Sequence, residues 1–397
     1  MDAGFMEHVN AKLNESLLRT EELFVENINS WVSGFADHFQ NICQKVRKWR
    51  DEPDETADVL YLECLMLYTN YIKRQYVADI FVFSDKSYLD KNQQCIGCFD
   101  VSFLFVYFDK LWDELILSRK RYQSQVSAQD VTSFMLNALP DFYSYLTCIA
   151  RVAIRGCTDK KRLCYGIKNP IADIAKNGRF MVNVGDFMAK TETVYEERKN
   201  KDAKKLADWF GKKLRGDYVF GDYSNLDFTG GVFEYIDFRY AWFQDSVLVG
   251  ANLDGSSLIG TNFRNAKMER CRMDNCSIHE ADFSNASLNY ASFVNARAKA
   301  GLAGEKKWKG PGFLPVSFYC ADLMKADFRR AALERADFRK ASLKGADFTD
   351  AVLAGADFTD AVLTGADFAG AMLLSANFEN AILDDVNFTG AIIDDAF

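Results

Sequence analysis

The chain has 397 residues, of which 49% are hydrophobic and 26% charged, and its formal net charge is −8. This balance is typical of a soluble protein of about two domains. No stretch approaches the roughly 18 apolar residues that a membrane-spanning helix needs. Asp2, Glu7 and His8 interrupt the N-terminus, so no secretory signal is expected. Ten cysteines suit a reducing compartment, and the predicted location is the cytoplasm.

The region 1–190 carries apolar residues at helical spacing. Phe5, Val9, Leu13 and Leu17 are four apart, and the pattern continues toward residue 46 as one long helix or two consecutive ones. Further helices are predicted over residues 56–83, 100–122, 129–155 and 187–214, and Pro140 should kink or end the third of these. We therefore predict a multi-helix domain over 1–190. An amphipathic helix or linker over 191–215 is expected to cap the region that follows.

Residues that carry chemistry are sparse in this part of the chain. Cys95 and Cys98 have the spacing of half a zinc site, but no histidine lies near them, and two ordinary loop cysteines are the favoured interpretation. The chain contains no phosphate-binding Gly-Lys-Ser/Thr loop, no dinucleotide fingerprint and no His-Glu-x-x-His helix. No cofactor is expected, and an enzyme would need an irregular site within residues 1–215.

From Tyr218 to Ile393 a large apolar residue recurs every five positions, and a small residue usually stands two places before it. A period of five fits neither an α-helix nor a simple strand. It fits a short extended side followed by a two-residue corner, with four sides in each coil of about 20 residues. In the C-terminal part the large positions alternate between Leu and Phe, which places two Phe columns opposite each other in the stacked coils.

These residues resemble the pentapeptide-repeat family, whose pattern is Ala-(Asp/Asn)-(Leu/Phe)-X-X, and the resemblance covers about residues 216–397. It implies a right-handed quadrilateral parallel β-helix. The predicted fold class is therefore α+β with more than one domain, an N-terminal multi-helix bundle followed by this β-helix.

One interruption, 297–316, breaks the repeat. It is as long as one full coil and carries five basic groups and one acidic group, and we predict a loop that leaves the side of the coils. A contact with a partner protein through Trp308 and its neighbours Lys306, Lys307 and Lys309 is one interpretation; a tolerated insertion without a role is the other. Some quinolone-resistance members of the family carry projecting loops that contribute to their action.

The C-terminal coils are acidic, since residues 346–397 contain ten Asp or Glu and no Lys or Arg. Asp347, Asp357 and Asp367 precede successive Phe residues, and such a surface should attract basic partners. Several family members with acidic faces are understood to mimic DNA and bind type II topoisomerases, so the resemblance adds that possibility. Asp is also common in turns, which explains its presence without any binding role.

The last coil has no predicted helix beyond it, which leaves Phe388, Ile393 and Phe397 as candidates for an end contact. Many pentapeptide-repeat proteins dimerise through their C-terminal ends, so the resemblance implies a possible homodimer there, or docking of another chain.

Three functions remain open from the sequence. The first is a non-enzymatic interaction or scaffold protein that binds a protein partner and makes no direct contact with nucleic acid. The alternative is an acidic DNA mimic that binds a topoisomerase or another DNA-binding enzyme. The third is an enzyme or effector with a site in residues 1–215.

Overall fold

A computed structural model describes residues 3–50, 61–83, 94–158, 174, 180–186, 191–197, 218–298, 308, 312 and 314–394. The chain forms two compact units. The first comprises residues 1–199 together with 302–311, and the second comprises residues 200–301 and 312–397.

The first unit begins with a single long helix, α1 (Ala3–Arg50). Its apolar residues recur every three or four positions, so that one side of the helix is buried. The later helices are α2 (Tyr68–Ile72), α3 (Val106–Ser118) and α4 (Ala128–Thr158), with 3-10 turns at Ser102–Leu104 and Arg119–Gln125. Pro140 lies inside α4, and the helix does not end there. No helix among the described residues is both long and apolar enough to cross a membrane.

A five-stranded mixed sheet completes the first unit. Its strands are β1 (Tyr61–Met66), β2 (Val77–Phe83), β3 (Gln94–Asp100), β4 (Phe180–Asp186) and β5 (Thr191–Glu197), in the order β3-β2-β1-β4-β5. The central pair, β1 and β4, is parallel, and the other neighbours are antiparallel. Leu62, Cys64 and Val182 project from one face into the same buried core as α1, α3 and α4.

The sheet corrects the prediction of an N-terminal helix bundle. The predicted helix over 56–83 is instead β1, α2 and β2, and the predicted helix over 187–214 is contradicted at residues 191–197, which form β5. The same strand occupies the start of the cap predicted over 191–215, and the capping role itself stays a prediction. Residues 198–217 lie outside the described residues. The missed signal is composition, because β2 reads Val-Ala-Asp-Ile-Phe-Val-Phe and such residues favour strands. In addition, β1 is buried on both faces, which removes the alternation of a half-exposed strand.

The second unit consists of stacked coils with four short sides each. Parallel bridges join equivalent positions of successive coils, as between Asp347 and Asp367. Phe348 N donates to Asp367 O at 2.7 Å in the coil that follows, and Asp347 N donates to Ala326 O at 3.0 Å in the coil before, so each side is paired with the coils on both sides of it. Ala346 and Phe348 are both buried, and the small and large positions therefore point inward as predicted.

The buried Phe residues form two columns. Phe283, Phe318, Phe338 and Phe358 stack face to face with centroids 4.9 to 5.1 Å apart. The second column contains Phe293, Phe328, Phe348 and Phe368, with centroids 4.7 to 4.9 Å apart. Rings from the two columns meet edge to face, as Phe338 and Phe348 do at 5.6 Å and 87°, the arrangement that the quadrupoles of aromatic rings favour. The predicted arrangement of opposite Phe columns is thus present.

Each side of a coil ends in a corner whose second residue has a positive φ. Nine of the described corners place Gly there, and many others place Asn or Asp, the residues that tolerate this conformation best. Arg270 (φ 58°) and Tyr290 (φ 61°) adopt it as well. A turn hydrogen bond closes most of the described corners, as when Ala351 N donates to Phe348 O at 3.0 Å.

The insertion is shorter than the predicted range, 297–316, by one side of a coil. In an ordinary coil a bridge joins positions four sides apart along the chain, as it does for Asn262 and Asp282. Asp282 bridges Ser317, which lies three sides further along than the ordinary partner would. Arg297 still bridges both Ser277 and Ala332, and Ala298 is fully buried. The repeat therefore continues through Ala298. Counting by fives could not show this, because inserting three sides and inserting four both preserve the period.

Candidate functional site

Two columns of aspartates run along opposite faces of the C-terminal coils. Asp327, Asp347 and Asp367 are joined by parallel bridges in one column, and Asp337 and Asp357 are joined in the other. The repeat itself places them, because the residue before each inward Phe points outward. Successive carboxylates in a column lie on adjacent strands, about 4.8 Å apart.

Each carboxylate also holds the corner that follows it. Asp347 Oδ1 accepts a hydrogen bond from Thr349 N at 2.9 Å, and Asp367 Oδ1 accepts one from Ala369 N at 2.9 Å. Asp357 is bound in the same way. These bonds explain the frequency of Asp in the repeat as turn chemistry. In all three residues the corner uses Oδ1, and Oδ2 takes no part in these bonds.

Arginines neutralise the columns in the earlier coils. Arg329 Nη2 lies 2.6 Å from Asp327 Oδ2, and Arg329 Nε lies 3.6 Å from Asp347 Oδ2. Burial of Asp327 opposes its ionisation, but the hydrogen bonds from Arg329 outweigh burial and lower the pKa of this carboxyl. Arg339 pairs with Asp337 at 2.8 Å in the opposite column. Beyond residue 345 the sequence has no Lys or Arg, so basic side chains reach these coils only from earlier ones, as when Arg339 Nε lies 3.7 Å from Asp357 Oδ2.

Trp308, the predicted partner anchor, packs within the first unit. Its Nε1 donates to Tyr145 OH at 2.9 Å, and its backbone N donates to Asn14 Oδ1 at 2.8 Å. Tyr145 is fully buried on α4 and also hydrogen-bonds to Glu21 of α1. The indole is half-buried against the core of this unit. Trp308 therefore contacts its own chain in this structure. The flanking lysines lie outside the described residues: Lys306, Lys307 and Lys309.

Replacing Trp308 with Ala should destabilise the first unit by about 2 kcal/mol, roughly half the usual cost of removing a fully buried aromatic ring. The change removes the half-buried indole and the donor to Tyr145 OH. Trp308→Phe keeps a ring and loses the N–H, so its cost should be about 1 kcal/mol. Hydrogen exchange of the α1 and α4 amides in the full chain measures both. Unchanged exchange in Trp308→Ala would show that this contact contributes nothing to the first unit.

The predicted end-contact residues lie in the last described coil. Phe388 is half-buried against the core formed by the coils before it, and Ile393 is 36% exposed. Phe397 lies outside the described residues. The inward positions of this coil are thus more accessible than those of the coils before it, where the equivalent Phe residues are fully buried.

The cysteines considered as metal ligands are both exposed on β3. Cys95 Sγ lies 3.5 Å from Gly97 O. Within the described ranges, no group of three or more His, Cys, Asp or Glu side chains is arranged to hold a metal ion. Both cysteines lie within β3, so the interpretation of them as loop residues was wrong.

A chain of polar side chains runs from the central strands of the sheet to the edge strand β5, and no sequence pattern indicated it. Asn183 Nδ2 donates to Glu63 Oε1 at 3.2 Å, and Thr193 Oγ1 donates to Asn183 Oδ1 at 3.0 Å. Burial raises the pKa of Glu63, and the hydrogen bond from Asn183 opposes this. These side chains lie on β1, β4 and β5, and their proximity follows from pairings that no local pattern reveals.

Comparison with known proteins bears on the repeat region. The family model for pentapeptide repeats matches in 8 copies, over residues 236–275, 266–299, 321–360 and 351–390. No curated protein matches the chain.

Solved structures that resemble the chain are also repeat proteins. One is HetL, a pentapeptide repeat protein involved in heterocyst differentiation regulation from the cyanobacterium Nostoc, with 23% identity over 50% of this chain and 99% of HetL and a TM-score of 0.25. QnrB1, a plasmid-mediated fluoroquinolone resistance protein, has 19% identity over 44% of this chain and 88% of its own, with a TM-score of 0.24. A pentapeptide repeat protein from the Arabidopsis thaliana thylakoid lumen has 19% identity over 31% and 77%, with a TM-score of 0.19.

The family model matches no residue before position 236, and the described part of the first unit has an architecture of helices and a mixed sheet. The matched residues coincide with the coils of the second unit, where bridges between successive coils, inward Ala and Phe, and turn-forming corners recur. The repeat region of this chain belongs to the pentapeptide-repeat family, whose repeats imply a right-handed β-helix.

Proposed function

We propose that this protein is a non-enzymatic interaction protein whose acidic coils bind a basic protein partner. The observation that supports the proposal is the pair of aspartate columns at the C-terminal end. Asp347, Asp357 and Asp367 are held in place by backbone hydrogen bonds. A fixed array of like charges loses little conformational freedom on binding and attracts the opposite charge over about 8 Å at physiological salt.

A DNA mimic that binds a DNA-handling enzyme is the second candidate. The acidic columns favour it, because a run of carboxylates can occupy a site that otherwise binds phosphates. The columns lie on opposite faces of the coils, however, and do not form one continuous stripe. We therefore rank this candidate below a general basic protein partner. Inhibition of DNA supercoiling by a purified type II topoisomerase would support it, and the absence of binding to such an enzyme at low salt would exclude it.

Changing Asp347, Asp357 and Asp367 together to Asn should abolish capture of basic proteins by the immobilised full chain. Asn retains the oxygen that accepts the corner hydrogen bond, so the fold should persist while the charge is lost. A matched control changes three aspartates of the first coils, Asp222, Asp227 and Asp237, to Asn. We expect the native chain and the control to capture basic proteins that elute with salt. The variant of Asp347, Asp357 and Asp367 should capture none of them. Equal capture by both triple variants would contradict the proposal.

A further inference from the structure

The C-terminal coils also present an apolar face between the two acidic faces. Every second outward position is apolar there, which gives two columns on opposite faces. Val362 and Ile382 form one, and parallel bridges align Ala332, Val352, Met372 and Ile392 in the other, longer column. Ile392 is 52% exposed, and Leu374, at the adjoining corner, is 39% exposed. An outward column of a pentapeptide repeat has no structural need for large apolar residues, since the core is already filled from the inside. The earlier members of the same column are polar: Asp237, Ser257, Ser277 and Arg297.

We propose that this face, formed by Val352, Met372, Leu374 and Ile392, binds an amphipathic helix of a partner protein whose apolar stripe is flanked by Lys or Arg. This inference rests on the proposed function and specifies the partner's chemistry. Neighbouring members of the column lie about 4.8 Å apart, so Val352 and Ile392 are separated by about 10 Å. Two turns of helix, from position i through i+3 or i+4 to i+7, also span about 10 Å. Three apolar residues on such a helix can therefore align with three on the coils.

A helix fits this face better than a strand. The backbone groups along the column are already used between coils, as when Val352 N donates to Ala331 O at 2.9 Å and Met372 N donates to Ala351 O at 2.9 Å. A partner strand could not form a hydrogen-bonded ladder with these backbone groups, so binding must use side chains. One border of the face carries Gly370 and Gly390, both at positive φ. The Asp350 carboxylate lies over Gly370, whereas the space beside Gly390 is open and allows a helix to approach closely.

The charge of the surroundings requires a basic partner. Asp350 lies at the corner on one side of the apolar column, and Asp394 lies at the corner on the other side, where it accepts a hydrogen bond from Ser375 N at 2.7 Å. The acidic faces with Asp347 and Asp357 begin beyond these corners. A second copy of this chain would bring the same acidic borders together, and that repulsion disfavours self-association. Lysines on both sides of an apolar stripe would instead meet carboxylates on both sides.

The test measures binding of designed peptides to the full chain by fluorescence anisotropy. The probe is a labelled helix of about four turns, with Leu at positions i, i+3, i+7 and i+11 and Lys on both flanks. A second peptide has the same composition in scrambled order, and a third replaces the lysines with Glu. We expect the probe to bind at least about tenfold more tightly than the other two, because only the probe combines an apolar stripe with basic borders.

Variants of the chain locate the binding. Met372→Ser with Ile392→Ser should weaken probe binding about tenfold, by removing apolar contact area. Val362→Ser with Ile382→Ser changes the outward column of the opposite face, where Ile382 is 47% exposed, and should leave affinity unchanged. Asp350→Asn with Asp394→Asn should weaken binding about threefold and reduce its dependence on salt. Circular dichroism melting of each double variant confirms that the coils remain folded.

Several results would overturn the inference. Equal binding of the scrambled peptide would show that the chain attracts positive charge without using the apolar face. An unchanged affinity in the Met372 and Ile392 double variant, or an equal loss in the Val362 and Ile382 variant, would place the contact elsewhere. A dimer seen by light scattering and dispersed by the Met372 and Ile392 variant would assign the face to a second copy. The proposed function is tested by a separate experiment, the capture of basic proteins by the Asp347, Asp357 and Asp367 variant.

Discussion

Removing three sides of a coil from the insertion should leave the coils intact, whereas removing four should disrupt them. The three-side deletion removes residues 301–315 and carries Ala300→Gly, so Ala298 is followed by a Lys-Gly corner like Lys344-Gly345 and then by Val316. The four-side deletion removes residues 297–316 and joins Ala296 to Ser317. Both variants keep the period of five, and both remove Trp308, so they differ in one side of one coil.

The missing side changes which residues stack. In the native chain Phe318 stacks on Phe283 at 5.1 Å, and Phe328 stacks on Phe293 at 4.8 Å. The four-side deletion moves Phe318 into the inward position of Ala298, above Ile278, and brings Leu323 above Phe283. Two aromatic contacts are lost and the interior must repack, at a cost of about 3–5 kcal/mol. The three-side deletion keeps every column in place.

Hydrogen exchange of the amides over residues 278–298 and 317–338 distinguishes the two variants. The three-side deletion should retain native protection there, and the four-side deletion should lose it. Equal protection in both would mean that Ala298 does not occupy an inward position and that the insertion begins earlier, as the sequence suggested. Loss of protection in both would instead show that the coils depend on the insertion itself.

The repeat region was predictable because its contacts recur. A residue such as Phe348 meets Phe328 and Phe368 at 4.9 and 4.7 Å, each one coil away, so one rule that holds for a single coil holds for all. The same regularity concealed the length of the insertion. It also concealed the apolar face, because Val352, Met372 and Ile392 form a pattern only once per coil, at four times the period that defines the fold.

The first unit was less predictable because its decisive contacts are distant and do not recur. Asn183 meets Glu63 across 120 residues, in a parallel pairing of β1 with β4. Trp308 meets Tyr145 across 163 residues. Neither contact can be predicted from the spacing of residue types along the sequence. The long helices α1 and α4 were foreseen, since one side of each is buried and their apolar residues keep a helical period over many turns.

Phe348→Ala should be among the most destabilising single changes in the repeat region, at about 3–5 kcal/mol. The ring is fully buried, and it is stacked between Phe328 and Phe368 with an edge contact to Phe338 at 5.6 Å. Neighbouring coils cannot close around the cavity, because their backbones are held in register by hydrogen bonds such as Phe348 N to Asp367 O at 2.7 Å. Hydrogen exchange over residues 326–368, or urea denaturation followed by circular dichroism, measures the loss.

Two further variants separate burial from position in the sequence. Thr349→Ala changes the next residue, which points outward and donates to Asp347 Oδ1 at 2.6 Å, so its cost should be about 1 kcal/mol or less. Phe388→Ala removes the same ring from the last described coil, where it is half-exposed, and it should cost clearly less than Phe348→Ala because less apolar surface is lost from the interior. Equal losses for Phe348→Ala and Thr349→Ala would contradict the inward placement of the Phe columns. Equal losses for the two Phe variants would mean that another surface covers the last coil in solution, in which case Phe388 and Ile393 lie in an interface.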